Sequence, residues 1–425
     1  MKKGFYTIMS AQFFSSLADN ALLVAAIATI QTSGAPDWHV PALSPMFALF
    51  YVVLAPFVGA FADRLPKGTV MFYSNAIKAG GCLMMLFGVH PLLAYAIVGL
   101  GAAAYSPAKY GILTELLPSS QLVKANGWIE GLTILSIILG VLLGGQLVGT
   151  RVSDQLLAIE LPAFAKAITT APEAAIAVIM FLYAIAAAFN LKIPRTEAPL
   201  LPLPVSPVTL VRDFSRCNSR LWRDKLGQIS LATTTLFWGV SSNMRVIVFA
   251  WAAVALSYDT TKASSLVGVV AIGTAAGAVI AALRVRLAHA TDVIPFGIAM
   301  GLLMIGLNII TSVWVAAPFL VLLGLVGGYL VVPMNALLQH RGHNLMGAGR
   351  SIAVQNFNEQ ACILALGAFY TGMTRFGLSA FTAIAVLGVT VAGTMFGIQR
   401  WHAYNRVQYK DELEHLLAIA RSDRH

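Results

Sequence analysis

Few residues in this 425-residue chain can do chemistry, and most of those interrupt runs of apolar residues. Asp19, Lys109, Arg245 and Glu359 each fall in an apolar stretch of spanning length. A charge at the centre of a bilayer costs about 2.5–3.5 kcal/mol on the insertion scale, so such residues face a cavity or a partner. The residues around them are polar at helical spacing. Asp19 shares a face with Gln12 and Ser16, Arg245 with Thr234, Trp238 and Ser241, and Glu359 with Ser351, Gln355 and Cys362. Glu130 stands with Asn126 and Thr133, and Lys109 lies one turn after Tyr105. These stripes are what a water-accessible central cavity requires. An acid and two bases at mid-membrane suit a substrate that carries both signs: arginine forks two hydrogen bonds to a phosphate, lysine supplies a point charge, and a carboxylate receives an ammonium. A zwitterionic phosphoethanolamine headgroup fits, as does an amino acid or a proton-coupled drug. A structural alternative pairs Glu130 with Lys124 and Glu359 with Arg350 to tie helices together, while the stem of Lys78 is long enough to snorkel.

The elements that must position these residues follow from composition. The chain is 58% hydrophobic and 11% charged, with a mean hydropathy of +0.77, against about 25% charged in a soluble domain. Lipid is therefore part of its solvent. Apolar stretches of about 20 residues place twelve transmembrane helices near 5–31, 43–62, 69–89, 92–115, 122–149, 172–192, 226–256, 262–287, 293–313, 316–339, 346–372 and 377–400. The stretch 150–171, with Arg151, Asp154, Glu160 and Lys166, reads as an external loop. Lys2 and Lys3 precede an apolar run too long for a signal peptide and broken by Asp19 and Asn20, which reads as a retained first helix. With the N-terminus in the cytoplasm, the outer loops hold only Arg151, Lys166, Lys262 and Arg375 of the 28 Lys and Arg, which puts both termini inside. The basic residues behind the net charge of +10 cluster in short loops between the apolar runs, which argues for membrane lipids and against nucleic acid. Cys82, Cys217 and Cys362 lie far apart, as unpaired thiols without metal-ligand spacing. No nucleotide-binding Gly-x-x-x-x-Gly-Lys-Ser/Thr, acyltransferase His-Asp pair or nucleophile elbow occurs, so the sequence reads as a non-enzyme without cofactors.

The chain repeats itself. Gly101-Ala-Ala-Ala-Tyr-Ser-Pro107-Ala-Lys109 in the fourth span answers Gly327-Gly-Tyr-Leu-Val-Val-Pro333-Met-Asn335 in the tenth, at an offset of 226. Asn126 and Glu130 are echoed by Asn356 and Glu359 with a slip of three or four residues. The same offset carries Asp19 onto Arg245, which makes the acid of the first helix and the base of the seventh equivalent across one cavity. Parallel repeats of this kind fit an all-α membrane protein of two pseudo-symmetric six-helix bundles, the major facilitator fold. The expected organisation is 1–193 and 226–400 as bundles, 194–225 as a cytoplasmic linker and 401–425 as a cytoplasmic tail. Five prolines break the first part of the linker, and Arg212, Arg216, Arg220 and Arg223 then share one face, as in a short helix on anionic headgroups or a solvated basic segment. The tail has an apolar side of Leu413, Leu416, Leu417 and Ile419, again suiting a surface helix. Gly59 with Asp63, Arg64 and Lys67 resembles the loop signature of major facilitators, whose charges latch helix ends and gate motion.

Longer matches are more specific. Asp19-Asn20-Ala-Leu-Leu, Ala-Pro56-Phe-Val-Gly59, the 101–113 block, Leu122-Val-Lys124-Ala-Asn126-Gly127, Leu236-Phe-Trp238-Gly239, Val332-Pro-Met-Asn-Ala-Leu-Leu-Gln339 and Ala353-Val-Gln-Asn356 resemble the bacterial lysophospholipid transporters of the major facilitator superfamily, from residue 5 to about 400. The resemblance implies movement of lysophosphatidylethanolamine and lysophosphatidylglycerol across the inner membrane to the cytoplasmic side for reacylation. It also implies a cytoplasmic acyltransferase/acyl-carrier-protein synthetase as partner. It carries cavity residues over to Asp19, Asn20, Lys109 and Arg245, with Glu359 where the family has an acid; Gln355 and Asn356 are expected beside them at the substrate, and Asp63, Arg64, Lys67 and Glu130 in gating. A monomer is expected that rocks its halves in alternating access and leaves the acyl chain in lipid through a lateral opening. The competing reading is a proton-coupled exporter of drugs or small metabolites, with Asp19 or Glu359 as its proton site.

Overall fold

The computed structural model describes residues 3–116, 119–158, 168–196, 206–346 and 348–422. Among them the chain is nearly all helix, with no strand. In order these are α1 (Lys3–Thr32), α2 (His39–Val53), α3 (Ala55–Arg64), α4 (Lys67–Leu86), α5 (Pro91–Leu116), α6 (Ser119–Val148), α7 (Thr150–Leu157) and α8 (Ala171–Leu191). They continue as α9 (Pro207–Arg223), α10 (Gly227–Ala255), α11 (Thr260–Arg284), α12 (Ile294–Gly306), α13 (Val313–Met346), α14 (Ala348–Arg375), α15 (Ala380–Gln408) and α16 (Lys410–Ser422). Each of the twelve expected spans coincides with a helix or a helix pair. Nine helical segments among the described residues are long and apolar enough to cross a membrane, ten if the bent pair α2–α3 is one span. The two that fall short are α4 and α14, the helices with Asn75 and Lys78 and with the polar run Gln355–Gln360. The residues of the site itself therefore dilute the hydropathy signal.

Three expectations are corrected. The second span is not one helix: α2 and α3 meet at 64°. Pro56, near the start of α3, has no N–H to continue the ladder and its ring clashes with the carbonyl one turn back. The expected outer loop begins as helix α7, and α8 is then opened by a capping box in which Thr170 and Glu173 bond each other's backbone. Glu160 and Lys166 of that stretch lie outside the described residues. Both supposed surface helices turn their apolar sides to protein. Cys217 and Leu221 of α9 are buried with Leu231, Leu338 and Val354, and Trp222 Nε1 donates to Asn358 at 3.0 Å. Leu413 and Leu416 of α16 are buried with Leu226, Ala290 and Leu337. The four arginines of α9 remain exposed.

The chain divides into two compact units, Met1–Pro207 with Ser257–Gly268, and Val208–Leu256 with Val269–His425. Within the first, α1 packs on α6 and α8, and α4 on α5 and α8. The second repeats the scheme, with α10 on α14 and α15, and α12 on α13 and α15. Lipid offers helices no hydrophobic drive to associate, so close contact depends on small residues. Gly140 and Gly144 of α6 show this: a Cβ at Gly140 would lie 2.6 Å from the Leu17 carbonyl oxygen, and one at Gly144 2.7 Å from that of Ala21, both on α1. In the second unit Gly324 and Gly328 of α13 approach the carbonyls of Val270 and Thr274 on α11 as closely. These contacts set α1 and its Asp19 against the rest of the first bundle.

Candidate functional site

In the first unit the site is built on α1, α4, α5 and α8. Asp19 accepts from Lys78 Nζ at 2.8 Å and from the Tyr183 hydroxyl at 2.7 Å. Lys78 also donates to Ser15 Oγ at 3.0 Å, and Ser15 donates to Asn75 Oδ1 at 2.7 Å. The rings of Tyr105 and Tyr183 lie 5.1 and 5.6 Å from the ammonium, a cation–π arrangement that strengthens away from water. Lys78 is 2% exposed at its side chain and Asp19 22%, so the pair is dry on the lysine side and open on the acid side. The approach of α4 to α5 permits this. A Cβ at Gly101 would sit 2.6 Å from the Ser74 carbonyl and 2.7 Å from Lys78 Cγ. Tyr105 Oη and Asn75 Nδ2 are left buried with no hydrogen-bond partner among the described residues.

The sequence left Lys78 ambiguous, with a stem long enough to snorkel; in the structure the ammonium points to Asp19 instead. The signal was present, because Ser74, Asn75 and Lys78 share one face of α4. Asn20, beside Asp19, donates to the Ser16 carbonyl at 2.8 Å. Lys109 stands over the Tyr110 ring at 4.4 Å, while Tyr105, one turn earlier, belongs to Lys78.

In the second unit Arg245 of α10 receives an anchoring contact from Ser242, its Nη2 donating at 3.2 Å. Gln355 Nε2 donates to Glu359 at 2.8 Å and to Asn335 Oδ1. Asn335 is the repeat counterpart of Lys109, so the tenth-span position is joined to the acid of the eleventh. Glu359 is buried at 8% exposure, and Asn356 is half-buried on the same helix. The alternative pairing of Glu359 with Arg350 fails. Nine residues along a continuous helix put them about 13 Å apart and on opposite faces, and Arg350 instead meets Asp213 of α9 at 3.5 Å.

Of the residues expected to gate, Lys67 is placed at helix ends. Its Nζ donates to the Ala62 carbonyl at 2.9 Å, near the end of α3, and lies 3.6 Å from Glu115 near the end of α5. Arg64 is exposed. The side chains of Asp63, Lys124 and Glu130 lie outside the described residues. A second ion pair was not anticipated: Arg341 near the end of α13 grips Asp224 through two bonds, of 3.1 and 2.6 Å. Its signal was the repeat itself, since Arg341 lies 226 residues after Glu115. What the two networks offer is an open acid beside a buried base, and a buried acid that accepts from the Gln355 amide, each inside a membrane-spanning bundle.

Known proteins resemble this chain in sequence and in fold. The family model of the Major Facilitator Superfamily matches residues 8–365. The lysophospholipid transporter LplT of Yersinia enterocolitica serotype O:8 is 39% identical over 379 residues, covering 89% of each chain. That of Yersinia pestis strain Pestoides F is 39% identical over 378 residues, covering 89% of this chain and 88% of its own. Among solved structures, the nucleoside transporter NupG superposes with a TM-score of 0.68 at 13% identity, over 94% of this chain and 99% of its own. An inward-facing bacterial homologue of the human lysosomal transporter Spinster gives 0.63 at 16%, over 99% and 98%. The structures support the fold and the sequences narrow it: this chain belongs to the major facilitator superfamily and, within it, to the family of the lysophospholipid transporters.

Proposed function

We propose that this chain carries lysophosphatidylethanolamine and lysophosphatidylglycerol across the bacterial inner membrane to its cytoplasmic side, where both termini lie, for reacylation. The observation that carries the reading is 39% identity to lysophospholipid transporters along nine-tenths of the chain. The chemistry of the spans supports it. Lys109 and Arg245 are the cations for a headgroup phosphate, and Asp19 and Glu359 are acids for an ethanolamine ammonium, with Asn20, Gln355 and Asn356 as neutral partners. The acyl chain stays in lipid, because moving it through water would cost about 0.8 kcal/mol per CH₂. Alternating access moves the headgroup, and the charges of Asp63, Arg64, Lys67 and Glu130 hold or release helix ends as it does. The protein works as a monomer and delivers its cargo to an acyltransferase/acyl-carrier-protein synthetase. Spheroplasts given radiolabelled lysophosphatidylethanolamine test this. Asp19→Ala and Arg245→Ala should each abolish uptake at unchanged protein level, and normal uptake in both would overturn the assignment.

A further inference from the structure

We infer that the first unit holds a second site, distinct from the substrate-binding residues, which binds a phosphate-type oxyanion. It lies on the face of the first unit where α4 begins and α8 ends. A cavity of about 150 Å³ is lined there by Lys67, Gly68, Thr69, Asn190, Arg195 and Thr196. That volume suits a guest the size of benzene, which a phosphate group is and an acyl chain is not.

Two independent features point to an anion. The first is the start of α4, a 20-residue helix whose N-cap is Pro66 and which has no side-chain cap. First-turn amides such as that of Gly68 have no acceptor within the helix, and the positive end of its dipole favours negative charge. The second is Asn190, which is 1% exposed, with neither Nδ2 nor Oδ1 hydrogen-bonded among the described residues. Leaving buried polar atoms unsatisfied costs about 1–3 kcal/mol, and a ligand oxygen in the cavity would take up the amide donor. The charge balance agrees. Arg195 is exposed at the cavity and Lys67 is buried in its wall. Among the described side chains the carboxylate beside it is that of Glu115, which accepts from Thr196 and stands 3.6 Å from Lys67. Among the described side chains two cations face this one acid, and the lining itself holds Lys67 and Arg195 and no carboxylate. A tetrahedral oxyanion would take a forked contact from Arg195, with the Thr69 hydroxyl, the Gly68 amide and Asn190 below it.

The same chemistry belongs to the headgroup of an anionic phospholipid and to free phosphate, and one experiment separates them. Native mass spectrometry of the full-length protein in detergent is run with inorganic phosphate or with diacyl phosphatidylglycerol. The comparison is between the unaltered protein, Arg195→Ala and Asn190→Leu, with Thr69→Val as a variant that keeps side-chain volume should the leucine not fold. At least a tenfold loss of adduct in Arg195→Ala and in one of the other two is expected. Loss with phosphatidylglycerol alone assigns the site to a lipid headgroup, and loss with inorganic phosphate alone to a soluble anion. Adducts of equal strength in all proteins with both probes, or no adduct to the unaltered protein, would overturn the site.

Discussion

Glu115 and Arg341 occupy equivalent positions, 226 residues apart, near the ends of α5 and α13, and both tie their bundle to the segment that joins the halves. They do so with unequal force. Arg341 holds Asp224 in a forked pair in which both side chains are under a tenth exposed, and Asp224 also accepts from the Gly227 amide at 2.7 Å, fixing the start of α10. Glu115 takes Thr196 and leaves Lys67 at 3.6 Å. An acid in one unit thus answers a base in the other, as Asp19 answers Arg245. The repeat preserves where a charge is needed and lets its sign change, and at the Glu115 and Arg341 positions each unit supplies its own counter-charge. The lesson is that one end of the linker is locked and the other is only latched.

The largest consequence falls on the locked end. Arg341→Ala strands a buried carboxylate, for which loss of one partner costs about 3–5 kcal/mol. Thermal unfolding in detergent should show a clear fall in midpoint. Arg341→Lys should recover only part of it, since an ammonium cannot make both bonds. A full recovery by lysine would mean that charge alone, without the fork, makes the lock.

The inner pair of the first unit comes next. Lys78→Met leaves Asp19 without its cation, but Asp19 is partly open to water, so about 3 kcal/mol is expected, at the low end of the range for such pairs. The double variant Asp19→Asn with Lys78→Met should recover stability and still fail to take up lysophospholipid. Recovery of both would reduce the pair to a structural tie. In the second unit Glu359 accepts instead from the Gln355 amide.

Much of this was legible in the sequence, for reasons that differ from residue to residue. The spans were readable because every backbone bond in a bilayer must be made within the helix. Asp19, Arg245 and Glu359 stood out because nothing apolar explains them. Lys78 did not, since a lysine in a helix can either snorkel or pair, and only the approach of α4 to α1 decides which. The bend at Leu54 was written in Pro56, but its 64° angle depends on packing. The docking of α9 and α16 was hidden for another reason: an amphipathic helix has the same pattern whether its apolar side meets lipid or protein.

The latch gives the smallest effect and the sharpest test of the contrast. Glu115→Gln keeps an oxygen to accept from Thr196 and removes only the attraction to Lys67. At 3.6 Å, with Glu115 about a fifth exposed, that attraction belongs with the weak pairs worth about 0–1 kcal/mol. The unfolding midpoint should therefore move little, far less than in Arg341→Ala. If Lys67 gates by holding and releasing the ends of α3 and α5, the rate of lysophospholipid uptake should change while stability does not. A fall in stability matching that of Arg341→Ala would show that the two ends are held alike and that the difference in geometry carries no energetic weight.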